Sequence, residues 1–190
     1  VTRIFGWQSD AGTGYWRLRL PLTELAKAGH DVMVDERMPD CMRYDAQADV
    51  FIAARTANPA PSATFRRLAA ERRMLCVYEC DDDFFTVTPD NKHAHRLFVQ
   101  GRSTQMAATG LGRISSTDID LPAQHYLTAE VQLDVAGEVR ANMAAAHLLT
   151  VSTDYLAGVV GQHTDAPIVV LPNRVPRWLT ELPAPWEREP

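Results

Sequence analysis

MLCVYECDDDFF, residues 74–85, runs from a nearly continuous apolar stretch straight into three adjacent carboxylates. The segment Met74 to Glu79 is short and rich in β-formers. It predicts a strand buried on both faces, as in the middle of a parallel sheet. The acids then stand at the carboxyl end of a central strand, the edge at which open parallel sheets bind their ligands.

Working outward, the same strand-like brevity recurs upstream at Asp49 to Ala53 (DVFIA), Asp31 to Asp35 and Arg3 to Trp7. Downstream it recurs at Leu148 to Val151 and Ile168 to Leu171. Helical patterns separate these runs. Tyr15 to Ala28 places Leu18, Leu22, Leu25 and Ala26 on one face and is stopped by Gly29. Pro21 puts the regular start of that helix at its own position, with the residues before it as a loose first turn. Ser62 to Arg72, Ala129 to Ala146 and Thr153 to Gly161 complete the helices. This alternation predicts one α/β domain over residues 1–173, a doubly wound, mostly parallel Rossmann-like sheet with helices on both faces. Residues 86–128 are too long for a plain connection and read as a long insertion or loop region, functional or mobile. Residues 174–190 belong to a proline-rich linker or arm, five of the twelve prolines falling from Pro172 onward.

With 190 residues, 46% of them hydrophobic, the chain has material for an ordinary core. Its net charge of −5 argues against broad binding to a phosphate backbone, which needs clustered cations. No run approaches the length of a membrane span, and the opening VTRIFGWQSD has neither a basic nor an apolar leader region. Cys41, Cys76 and Cys80 form no disulfide framework and read as free, mostly buried thiols. A soluble, cytoplasmic protein is the expectation. Cys76, Cys80, His93 and His95 lack zinc-finger spacing, and both cysteines fall in an apolar strand, so no metal site is expected. No nucleophile elbow or phosphate-binding Walker loop is present.

The unusual polar residues follow strand ends one after another. Asp10 to Gly14 follow the first strand, Asp81 to Asp83 the fourth, Ser152 and Thr153 the fifth, and Asn173 the sixth. In a parallel sheet all four groups line one rim. Gly12 and Gly14 allow an anion to approach backbone N–H groups, or they simply make a tight strand–helix turn. Arg17 has the chemistry to bind phosphate or carboxylate, or it is a solvated helix arginine. Asp81, Asp82 and Asp83 repel one another, and a general base, a hydroxyl-binding pair or a cation site would each compensate. The plainer alternative is a helix cap with solvated neighbours. Phe84 and Phe85 divide between pocket wall and core.

Three stretches carry a family resemblance. DAGTGYWRLRLPLTELAKAGHDV (residues 10–32) is similar to the first loop and helix of GT-B glycosyltransferases of the retaining, glycogen-synthase-like kind (family 4-like). VYECDDDFF (77–85) resembles their Y-E-x-D-D-D-x-F run. LLTVSTDYLAGVVGQHTDAPIVVLPNRVP (148–176) looks like their strand, S-T-x-x-L helix, strand and P-N crossover. The resemblance implies the amino-terminal, acceptor-side half of an enzyme that transfers sugar from a nucleotide-sugar donor. Gly12, Gly14, Tyr15 and Arg17 would shape the loop facing the donor diphosphate. Asp81, Asp82 and Asp83 would orient acceptor hydroxyls or assist proton removal, with Phe84 beside them. Ser152, Thr153 and Asn173 would complete the rim. It further implies no cofactor or metal, because cationic side chains and helix dipoles stabilise the leaving diphosphate. The basic pair and acidic motif of the donor-binding domain have no counterpart in this sequence, so the donor site is expected from a second domain or a partner chain.

Two other readings stay open. One is a non-catalytic, Rossmann-like module that binds a glycan or a protein through the same rim. The other is a receiver- or flavodoxin-like domain with a magnesium-binding acid cluster, although that fold would place paired acids after the first strand, where only Asp10 stands.

Overall fold

A computed structural model of the chain describes residues 1–8, 14–35, 48–92, 95–100, 102–108, 126–132 and 134–173. Six parallel strands form the main sheet: β1 (Arg3–Gln8), β2 (Asp31–Asp35), β3 (Val50–Ala54), β4 (Leu75–Cys80), β7 (Leu148–Val151) and β8 (Ile168–Val170). Their order across the sheet is β2-β1-β3-β4-β7-β8. The run that opened the sequence argument is thus interior, paired with β3 on one side and β7 on the other. A separate antiparallel pair, β5 (Arg102–Ala108) and β6 (Tyr126–Gln132), sits between β4 and β7 in the chain.

The helices are α1 (Leu20–Lys27), α2 (Pro59–Glu71), α3 (Val135–Ala145) and α4 (Asp154–Val160). Before α1 lies a wide π-type turn, Tyr15–Arg19. Its cause is Pro21, which has no N–H to offer and would crowd the carbonyl of Arg17. Leu20 N–H bonds instead to Tyr15 O, five residues back. The loose first turn expected from the sequence takes this form. A second π-type turn covers His95–Val99.

Alternate strand residues fall into two apolar clusters, as a pleated sheet requires. Phe5, Trp7, Phe51, Ala53, Cys76, Tyr78, Leu149 and Val151 join Phe65 and Leu68 of α2, Val139 and Met143 of α3, and Leu156 and Val160 of α4. Phe5 stacks on Phe51 at 5.4 Å, and Phe65 meets Tyr78 edge-on at 5.7 Å. The opposite parity carries a smaller cluster in which Ile4 and Ala54 meet Leu18 and Leu22. Helix and sheet approach closely there: a Cβ on Gly6 would lie 2.6 Å from Leu22 Cδ1.

The helix expected over Ala129 to Ala146 is corrected by the structure. Tyr126–Gln132 is strand, and the helix begins only at Val135. Leu127, Ala129 and Val131 alternate with Thr128, Glu130 and Gln132, a period of two, and the segment pairs along its whole length with β5. Asp134 ends that run as an N-cap, its carboxylate accepting from Gly137 N–H at 2.8 Å. The helix expected over Ser62 to Arg72 starts earlier, at Pro59, because proline is well placed in a first turn.

Candidate functional site

Because every strand of the main sheet is parallel, their carboxyl ends share one edge. The chain first steps from β1 to β2 on one side and then returns to β3 on the other, so the topological switch lies between β1 and β3. Across that edge the register sets Gln8, Ala54, Glu79, Thr150 and Val169 in one row, on the face that carries Leu18 and Leu22. Ala54 is small, and the polar Gln8 and Glu79 flank it. Gln8 is covered by the start of the first helical segment, where a Cβ on Gly14 would lie 2.5 Å from Gln8 Cβ.

Arg17 binds the rim together. The π-type turn carries its side chain to three acceptors. Nε and Nη2 both approach Glu79 Oε1 at 2.6 Å. Nη1 donates to Leu171 O at 2.6 Å and to Asn173 Oδ1 at 3.0 Å. The pair is buried, with 6% of the Arg17 side chain and 2% of the Glu79 side chain exposed. Burial pushes the Glu79 carboxyl up to about 7, with the Arg17 charge pulling against it and the Asp81 charge adding to it.

The three aspartates do different things. Asp81 and Asp82 face Arg55, whose Nε is 3.7 Å from Asp81 Oδ1 and whose Nη2 is 2.8 Å from Asp82 Oδ2. Arg55 holds a left-handed backbone (φ 52°) just past β3, and its N–H donates to Glu79 O at 3.0 Å. Its guanidinium also lies 5.7 Å from the centre of the Phe84 ring. Desolvation, then the charge of Asp82, raises the Asp81 carboxyl, and Arg55 opposes the rise. Asp82 remains half exposed. Asp83 is a local cap: its carboxylate accepts from Phe85 N–H, Thr86 N–H, the Thr86 hydroxyl and, at 2.9 Å, the Tyr155 hydroxyl. Partial desolvation works against ionisation there, but those donors outweigh it and hold the carboxyl below its ordinary value. Asp83 thus caps a bend, since no helix follows it, and the expected helix cap is not what it forms.

The remaining expected residues divide. Asn173 and Arg17 meet directly. Gly14 shapes the turn over Gln8. Tyr15 is exposed and forms an edge-on pair with Trp16 at 5.3 Å. Thr153 caps α4 by accepting from Leu156 N–H at 3.2 Å, and Ser152 is buried beside it. Phe84 is buried in the larger cluster, whereas Phe85 meets the His163 ring at a tilt, 4.3 Å between centres, and lies under Arg140. Cys76 and Cys80 are free and buried. Asp10, Gly12, Cys41, His93 and residues 174–190 lie outside the described residues. Among the described residues no group of His, Cys, Asp and Glu is arranged to hold a metal ion, and no helix is long and apolar enough to cross a membrane.

Sequence reasoning missed Gln8, Arg55, Glu79 and Tyr155. The available signal was a lone carboxylate in the central strand, which is costly unless paired. A hollow of about 460 Å³, lined by Asp49, Arg72, Arg73 and His147 among others, lies at the other edge, where β3, β4 and β7 begin. No protein-family model matches the chain, and no match was found among curated proteins.

Proposed function

We propose that this chain is the acceptor-side half of a glycosyltransferase that uses a nucleotide-sugar donor. One observation carries the reading. The three sequence blocks that resemble the GT-B enzymes meet at a single side chain: Arg17 of the first block bonds Glu79 of the second and Leu171 and Asn173 of the third. Residues far apart in sequence are thereby gathered at the switch-point edge, where such folds bind ligands. In this reading Asp82, the most exposed of the acids that pair with Arg55, receives the acceptor hydroxyl and assists its deprotonation. Asp83 positions the loop. The diphosphate of the donor is held by a second domain or partner chain.

A non-catalytic glycan- or protein-binding module is the second reading. It is favoured by the internal engagement of Arg17 and Asp83, which leaves fewer groups to act on a reacting centre. Amide-resolved NMR titration with methyl glycosides, beside melting curves with UDP-, GDP- and dTDP-sugars, tests the site. Shifts at residues 79–86 and 171–173 with no nucleotide response support an acceptor half. A specific nucleotide-sugar response moves the donor site onto this chain, and an unmoved rim rejects the site. Asp82→Ala then separates enzyme from module: transfer by the complete enzyme falls by about 10²-fold or more while the melting temperature of the chain is kept. Full turnover in that variant removes Asp82 from the chemistry.

A further inference from the structure

Two buried carboxyl oxygens at the rim lack a hydrogen-bond donor. Glu79 Oε1 receives both Arg17 nitrogens, but Oε2, equally enclosed, has no hydrogen-bond donor. Asp81 Oδ1 is likewise buried without a donor, its contact with Arg55 Nε being an ion pair at 3.7 Å. Glu79 is the penultimate residue of β4, and Asp81 is the first residue beyond the strand. The Asp81 charge is felt at Glu79, which supports that proximity. A buried carboxylate oxygen without a donor is costly, and native proteins keep few of them. Two adjacent ones call for a ligand that brings donors.

The charges around them define its chemistry. An anion is repelled by the carboxylates. A divalent cation would sit against the guanidiniums of Arg17 and Arg55, which already engage both acids, and among the described residues no third ligand completes a metal set. A neutral molecule with two neighbouring hydroxyls meets both oxygens at no such penalty. Tyr15 and Trp16, exposed at the start of the turn that holds Arg17, add an aromatic surface of the kind that packs against the apolar face of a pyranose.

We propose that Glu79 Oε2 and Asp81 Oδ1 form a diol-binding subsite that accepts two neighbouring hydroxyls of a neutral sugar. This rests on the acceptor-side reading and adds Glu79 as its specificity-determining residue. A hydroxyl held at Oε2 is shielded from water, where a charge-assisted hydrogen bond is strong. A deoxy analogue lacking either hydroxyl leaves a buried acceptor unpaired and is rejected.

The test titrates the full chain at pH 8, above the Glu79 value of about 7, with methyl α-glucoside, methyl α-galactoside and methyl α-mannoside by NMR, in the wild type, Glu79→Gln, Asp81→Asn and, as a control away from the rim, Glu138→Gln. At least one glycoside is expected to bind the wild type. Its Kd should rise about tenfold or more in each rim variant and stay unchanged in the control. The side-chain carboxyl ¹³C resonance of Glu79 in the wild type should shift on saturation, a readout that holds even if Glu79→Gln fails to fold. A glycoside that binds but ignores Glu79→Gln, or leaves that resonance still, overturns the subsite and spares the acceptor-side reading. If none of the three binds the wild type, both fall.

Discussion

Among the buried polar residues described, Asn142 and Glu79 lie on opposite faces of the sheet and are built to opposite plans. On the face packed by α2 and α3, Asn142 gives both Nδ2 hydrogens away, to Thr56 O and Ser62 Oγ, each at 2.9 Å. Its Oδ1 accepts from Arg66 at 3.0 Å, Arg66 also pairs with Glu138 at 2.7 Å, and the Tyr78 hydroxyl shares the Thr56 carbonyl. Every polar atom of the Asn142 side chain has a partner. On the other face Glu79 spends one oxygen on Arg17 and leaves the second without a donor. The first arrangement fixes how helices sit on the sheet, and the atom it leaves without a partner, Thr56 Oγ1, is a neutral hydroxyl. The second leaves a carboxyl oxygen without a donor at the carboxyl edge of the sheet, and the proposed site rests on that difference.

The sharpest way to break this contrast is to remove the cation from one group and the amide from the other. Arg17→Met leaves the Glu79 carboxylate buried and uncompensated and releases Leu171 O and Asn173. A loss of about 3–5 kcal/mol is expected at pH 8. At pH 5 the loss should be much smaller, because the carboxyl then carries a proton and only hydrogen bonds are missing. Asn142→Ala strands Ser62 Oγ and deprives Arg66 of an acceptor, for about 3 kcal/mol at either pH, since no group it touches changes charge between those values. Urea denaturation of both variants at both pH values checks this. A pH-independent loss in Arg17→Met would mean that the rim is as purely structural as the Asn142 network.

The two networks were also unequally legible. Local pattern was enough for the six strands, because short apolar runs between turn residues leave few alternatives in an alternating chain. It failed at residues 126–132, where a strand of alternating Leu127, Ala129 and Val131 leads through Asp134 directly into a true helix and the two periods blur. The rim as a location followed from strand ends alone. Its chemistry did not. Gln8 and Glu79 lie inside strands and look like exceptions to an apolar run until register sets them either side of Ala54. Arg55 becomes notable only through its left-handed backbone and its reach to Asp81 and Asp82. Arg17 was visible as a candidate, but its partners lie 62 and 156 residues away in sequence. Long-range pairing of this kind is a product of the fold, not of local composition.

A subtler effect sharpens the comparison through protons alone. Glu79 has a folded value of about 7 against an ordinary value of 4.5, so between those limits the native state holds a proton that the unfolded chain has released. The stabilising contribution is complete below about pH 4.5 and is lost as pH rises through 7. A shift of that size corresponds to roughly 3 kcal/mol between the limits, as an upper bound for this one group. Asp81 is raised too and acts in the same direction. Asp83 is lowered, so its contribution is lost only as the pH falls through its depressed value and does not offset Glu79 in this window. Glu79→Gln removes the titrating group while keeping a carbonyl for Arg17. Its urea midpoint should therefore fall less than that of the wild type between pH 5 and pH 8, with Asn142→Ala keeping the wild-type slope. Equal slopes in Glu79→Gln and the wild type would show that the carboxyl is already ionised at pH 5, and that Arg17 compensates it as fully as the interior network compensates Asn142.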